Sequence, residues 1–317
     1  MDFSELFRNF PELTTTGLTQ GAIYALVALG YTLVYGVLRL INFAHSEVFM
    51  VGTFAAMWTW NALGFNQNLS PSGVLISAGV LIAGLLAAVA VSSATAVAVE
   101  LTAYRPLRKR NAPPLAFLIS AIGASFVIME IIGIATDRAP YGNMPELVSN
   151  KPLFTILGAE ITPVQIVIVV GALVMLVGLD WFINNTRLGR GVRAVAQDPD
   201  SAALMGVNKG RVIGLVFLLG GVMAGVAAVF ANLKYGFTKF NLGFLFGLKA
   251  FTAAVLGGIG NLRGAVLGGL LLGLVENYAS ALVGTQFRDL VAFVVLIAVL
   301  MFRPTGILGE SLGRARA

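Results

Sequence analysis

Apolar residues along this chain come in long, nearly unbroken runs separated by short polar punctuation. A helix needs about 20 mostly apolar residues to cross the hydrocarbon of a bilayer, because it rises about 1.5 Å per residue. Runs of that order fall near 17–38, 46–64, 73–100, 115–135, 163–183, 212–232, 247–260, 264–283 and 288–302. The pattern predicts an all-α, polytopic membrane helix bundle of about 8–10 transmembrane helices. Two places break it: a polar stretch from Arg39 to Glu47, and the run 247–260, which is short and ends in Gly257-Gly258-Ile259-Gly260. Non-helical backbone at membrane depth survives only where protein or a water-lined cavity satisfies it. Asn42, His45, Ser46, Glu47, Gly257 and Gly258 are therefore candidate elements of a pathway. A tight glycine turn between two ordinary helices accounts equally well for the second place.

Composition agrees with the pattern. The chain is 57% hydrophobic and 11% charged, against about 25% charged for a soluble domain. No segment is polar and long enough to fold outside the bilayer, so residues 1–317 read as a single transmembrane domain, with 184–211 as its principal extramembrane loop. Small residues recur four apart, as Gly17 and Gly21, Gly221 and Gly225, Gly264 and Gly268, and Gly269 and Gly273. That spacing lines one helix face and predicts close helix packing. With no cysteine, disulfides, thiolate metal sites and thiol catalysis are excluded.

The net charge of +6 matters through its distribution. Cations gather beside apolar runs in three groups: Arg105, Arg108, Lys109 and Arg110; Arg187, Arg190, Arg193, Lys209 and Arg211; and Arg303, Arg314 and Arg316. This is the positive-inside pattern, and it removes nucleic acid as a partner. It predicts cytoplasmic basic loops, a periplasmic N-terminus, an outer segment 136–162 and a cytoplasmic C-terminus. The first thirteen residues carry Asp2, Glu5 and Glu12 against Arg8; without a basic n-region, the first span is expected to be retained.

Ionisable residues inside apolar runs are functional candidates by default. One histidine cannot build a metal site, so no metal is expected; His45 is read as bonding a helix end or switching charge near neutrality. Glu100, Glu130, Asp180 and Glu276 fall in or near spans, Glu130 and Glu276 most deeply, and Lys249 reads first as an interfacial anchor and second as a residue facing the pathway. In the loop 184–211, Asp198 suits an N-cap, Pro199 the first helical position and Gly206 a left-handed stop. The short helix between them would expose Ala202, Ala203, Leu204 and Met205, and at that length it must pack on something.

Three function classes remain on these grounds: an ATP-driven permease, an ion-coupled secondary transporter using Glu47, Glu130 or Glu276, and an intramembrane enzyme. The last lacks a catalytic constellation, so the catalytic list is empty. Resemblance separates the first two. Gly21-Ala22-Ile23-Tyr24-Ala25-Leu26, Gly30-Tyr31-Thr32-Leu33-Val34-Tyr35-Gly36 and Ile41-Asn42-Phe43-Ala44-His45-Ser46-Glu47 closely resemble permeases of bacterial branched-chain amino acid ABC transporters of the LivH type. Tyr104 to Arg108, Leu118 to Gly123, Lys249 to Gly260 and Arg303 to Gly309 continue the match in order. Asp200-Ser201-Ala202, three residues, then Gly206 is similar to the Glu-Ala-Ala, three residues, Gly loop that seats on ATPase subunits.

The resemblance implies a permease for apolar amino acids that binds no cofactor of its own. Its implied partners are a second homologous permease, two ATP-binding subunits and a periplasmic substrate-binding protein, in the bacterial inner membrane. Asp198, Asp200, Ser201, Ala202, Ala203 and Gly206 would couple it to the ATPases. No G-x-x-x-x-G-K-[ST] phosphate loop occurs in the chain, in keeping with ATP being used on partner subunits. Ser46 departs from the glycine usual after the histidine, which leaves urea or short amides open as cargo.

Overall fold

A computed structural model describes residues 9–71, 73–142, 144–156 and 158–309. Asp2, Glu5, Arg8, Arg314 and Arg316 lie outside them. The described chain is a helix bundle: α1 Phe10–Leu38, α2 His45–Ala62, α3 Val74–Val99, α4 Arg105–Lys109, α5 Pro114–Ala135, α6 Pro163–Asn185, α7 Arg187–Gln197, α8 Pro199–Leu204, α9 Lys209–Tyr235, α10 Leu242–Gly257, α11 Leu262–Val283 and α12 Arg288–Phe302. A π-helical turn, Glu100–Tyr104, joins α3 to α4. A small antiparallel hairpin, β1 Phe154–Ile156 and β2 Ala159–Ile161, follows α5.

Seven of these helices, with α3 and α4 counted as one, are long and apolar enough to cross a membrane. The two remaining predicted spans are α2 and the shorter α10. Most of α2 is buried, so protein rather than lipid is its solvent. With α1 and α9 it forms the centre, while α3, α5, α6 and α12 turn apolar faces outward.

Glycine lets the central helices touch. A Cβ on Gly21 of α1 would stand 2.7 Å from the Gly269 carbonyl oxygen of α11, and one on Gly225 of α9 would stand 2.7 Å from Val89 Cα of α3. The predicted small-residue faces are thus the α1–α11, α9–α3 and, through Gly264 and Gly268, α10–α11 contacts, held by packing because lipid supplies no hydrophobic drive between helices.

Contacts gather the basic groups at one end of the bundle. Tyr104 donates to the Ile41 carbonyl at 3.3 Å, Arg263 at the start of α11 meets Asp180 near the end of α6 at 3.2 Å, and the α10–α11 turn lies beside Gly36. At the opposite end, Phe10 stacks on Tyr278 and Tyr141 bridges Thr238.

The Gly257–Gly260 run is a turn. Helix α10 stops at Gly257, and Gly258 and Gly260 take φ of 110° and 101°, a region that favours glycine. The segment after α12 folds back as a clasp on this turn: Ile307 N–H donates to the Leu256 carbonyl and Leu308 N–H to the Gly257 carbonyl, both at 2.9 Å. Asn261 Nδ2 closes the clasp on the Leu308 carbonyl at 2.9 Å. Orphan carbonyls at the end of α10 are satisfied in this way.

Candidate functional site

The polar stretch after α1 enters the bundle. Arg39 ends α1 at φ 55°, Asn42 Oδ1 accepts the Ala44 N–H at 3.2 Å, and the Asn42 carbonyl accepts the His45 N–H at 3.1 Å. Helix α2 therefore begins inside protein. His45 is 1% exposed and is received by glycines: its ring fills the space a Cβ on Gly30 would need, and Gly220 faces it from α9. Tyr31 meets it edge-on at 5.0 Å. Its Nε2 makes no well-formed hydrogen bond, although the Val27 carbonyl is a near neighbour. The expectation of a bonded helix end is not met; the backbone N–H, not the ring, does that work.

Glu47 lies two residues deeper along α2 and is fully buried. Its Oε1 accepts weakly from Ser46 and from Ser125 of α5, each at 3.4 Å, and its Oε2 has no partner. Ser125 lies about 16 Å along α5 from its first residue at 1.5 Å per residue, so this carboxyl stands about midway along that 22-residue helix. Ser46 Oγ donates to the Phe43 carbonyl at 2.6 Å, and its Cβ occupies the place of the side chain Gly247 lacks. Gly243 makes room for Glu47 in the same way. Asn42, His45, Ser46 and Glu47 thus form one polar cluster between α1, α9 and α10, with a carboxyl oxygen able to accept one more hydrogen bond. Gly257 and Gly258 stand apart from it, beneath the clasp.

A second buried cluster was not anticipated. Lys249 of α10, 7% exposed, reaches Glu276 of α11, 0% exposed, at 2.7 Å and Asp289 of α12 at 2.6 Å. Arg288 Nε stands 3.5 Å from Glu276 and its Nη2 donates to Asn277 at 3.1 Å. This corrects the reading of Lys249 as an interfacial anchor: it is paired inside the bundle. Its partners are remote in sequence, and only the apolar setting of Glu276 hinted at them. Glu130, by contrast, is 45% exposed and pairs with Arg138, and Glu100 pairs with Arg108 at 2.7 Å.

The loop 184–211 holds two helices. The first, α7, was missed; Thr186 caps it by accepting the Gly189 N–H at 3.0 Å, while Val192 and Val195 face inward. In the second, α8, Asp198 accepts N–H bonds from Asp200 and Ser201 at 2.9 and 3.2 Å, and Gly206 takes φ 84°, as predicted. The Ser201 hydroxyl and these two amides hold the Asp198 carboxyl below its ordinary range. Lys209 pairs with the exposed Asp200 at 2.6 Å. Ala202 corrects expectation: it is buried, and anchors α8 to the bundle. Leu204 and Met205 are 88% and 85% exposed, an apolar tip on a polar loop.

Residues 13–300 match the model of the family described as branched-chain amino acid transport system, permease component. The chain is 42% identical to the high-affinity branched-chain amino acid transport system permease protein BraD of Pseudomonas aeruginosa, over 96% of this chain and 97% of BraD. It is 40% identical to the permease proteins LivH of Salmonella typhimurium and Escherichia coli K12, over 97% of this chain and 98% of each. A multi-pass permease component rather than an enzyme, the chain belongs to the branched-chain amino acid transport permease family.

Proposed function

We propose that this chain is a pathway-forming subunit of an ATP-driven importer of branched-chain amino acids, coupled to its ATPase subunits through α8. The observation that carries the coupling is the build of that helix: capped at both ends, rooted by Ala202, and presenting Leu204 and Met205 to whatever docks there. Apolar side chains this exposed at the tip of a polar loop fit a partner's groove.

The reading includes a second homologous permease, two ATP-binding subunits that use the ATP, and a periplasmic substrate-binding protein, in a bacterial inner membrane. The basic end then faces the cytoplasm, the N-terminus the periplasm and the C-terminus the cytoplasm. Asn42, His45, Ser46 and Glu47 line or gate the pathway from the broken entry of α2, while Asp198, Asp200, Ser201 and Ala203 keep α8 in shape.

Affinity purification of the tagged chain from its native membrane, with mass spectrometry, is expected to recover a second permease and ATPases carrying phosphate loops. In that complex, L204D with M205D is expected to abolish leucine uptake into proteoliposomes while leaving the subunit folded. Recovery of the chain alone, or full ATP-driven uptake by the double variant, overturns the reading.

A further inference from the structure

An open groove of about 480 Å³ runs between the outward faces of α3 and α5, lined among others by Thr95, Ala98, Thr102, Ser120, Gly123 and Val127. Its walls are mostly small: a Cβ on Gly123 would meet nothing within 4 Å. Helix α5 leans on the bundle through the π turn and α2, which leaves this side of it unfilled.

The groove runs toward the basic end. Ala103 lines it on one wall, and Lys109 lies about 9 Å farther along at 1.5 Å per residue. On the other wall Ser120 lies about the same distance from Pro114, the first residue of α5. Both walls therefore place the apolar groove at acyl-chain depth and put Lys109 and Arg110 at headgroup depth, with Arg105 at the rim between the two depths; all three are exposed. Arg108 is committed to Glu100 through Nη2 but leaves Nη1 without a partner.

We propose that this groove is a binding site for one anionic glycerophospholipid, its acyl chain between α3 and α5 and its phosphate on the Arg105–Arg110 cluster. Charge complementarity selects the occupant. A zwitterionic lipid would fill the groove equally but gain little from three cations, whereas an anionic one gains at the membrane surface from each of them. A transmembrane helix of a second subunit would use the small walls and ignore the cations.

The test uses the purified full-length permease with its associated subunits, in nanodiscs of mixed phosphatidylglycerol and phosphatidylcholine, followed by native mass spectrometry. Retained lipid is expected to be enriched in phosphatidylglycerol. R105Q and K109Q are each expected to lower that enrichment about fivefold. G123L, which fills the groove from an open position, is expected to release the lipid altogether. Equal retention of the two lipids, or unchanged retention in G123L, overturns the site. So does efficient cross-linking of a cysteine at position 123 to a second subunit, which gives the groove to a helix.

Discussion

Removing the amine of Lys249 tests how the α10–α11–α12 corner is held. At 2.7 Å from Glu276, the gross attraction is about 6 kcal/mol at an effective dielectric of about 20. K249M deletes it and leaves the buried Glu276 carboxylate with Arg288 at 3.5 Å. The expected loss is about 3–5 kcal/mol, the range for stripping one partner from a buried pair. Asp289 is half exposed, so D289N removes a contact that water already screens and is expected to cost at most about 1 kcal/mol. Because two apolar side chains can replace a buried pair with little loss, K249M/E276L is expected to recover more than half of the K249M deficit. The assay is unfolding in mixed micelles with increasing dodecyl sulfate, followed by tryptophan fluorescence, for the four proteins in parallel. Equal losses in K249M and D289N, or a double variant no more stable than K249M, would refute the argument that burial makes this pair decisive.

Other expectations follow from single contacts. G21A places a methyl 2.7 Å from the Gly269 carbonyl oxygen and is expected to cost about 1–3 kcal/mol. G79A, with open space around it, is expected to be neutral or to stabilise by up to about 1 kcal/mol; the same micelle titration compares them. G247A drives a methyl into Ser46 and is expected to impair uptake, and S46G, which vacates that volume, is expected to restore it in the double variant. The Asp198 cap exists while its carboxyl is ionised. With that carboxyl held low, the cap's contribution is complete above the ordinary carboxylate range near 3.9 and is lost only as pH falls through the lowered value. A spin label at position 205 is therefore expected to keep the same mobility from pH 8 to pH 5, and to loosen in D198A at every pH.

The spans were legible because hydrocarbon imposes a length and a composition that single residues reveal. Their ends were less so. Helix α1 starts at Phe10 because Pro11 sits in its first turn, whereas the Thr14-Thr15-Thr16 run reads as polar punctuation; Thr14 and Thr15 return their hydroxyls to the carbonyls of Phe10 and Glu12. Beyond Val99 the helix continues through a π turn that hydropathy does not register. Helix α7 was hidden by Gly189 and Gly191, which lower helix propensity, although Gly189 is there to let α7 fold back against the end of α6. In the candidate site, Asn42 to Glu47 were visible as polar residues in an apolar setting. What receives them was not: Gly30, Gly220 and Gly247 signal only by lacking a side chain, and the partners of Lys249 lie on other helices.

The clasp of Arg303–Gly309 has a consequence for biogenesis. Helix α10 leaves the ribosome several tens of residues before the turn-rich segment that satisfies its last carbonyls. During that interval the last turn of α10 is an unfinished surface, and membrane insertion runs ahead of completion. Quality control has a simple feature to inspect: a chain interrupted within α12 carries every earlier span, yet shows the open α10–α11 turn that a finished chain conceals.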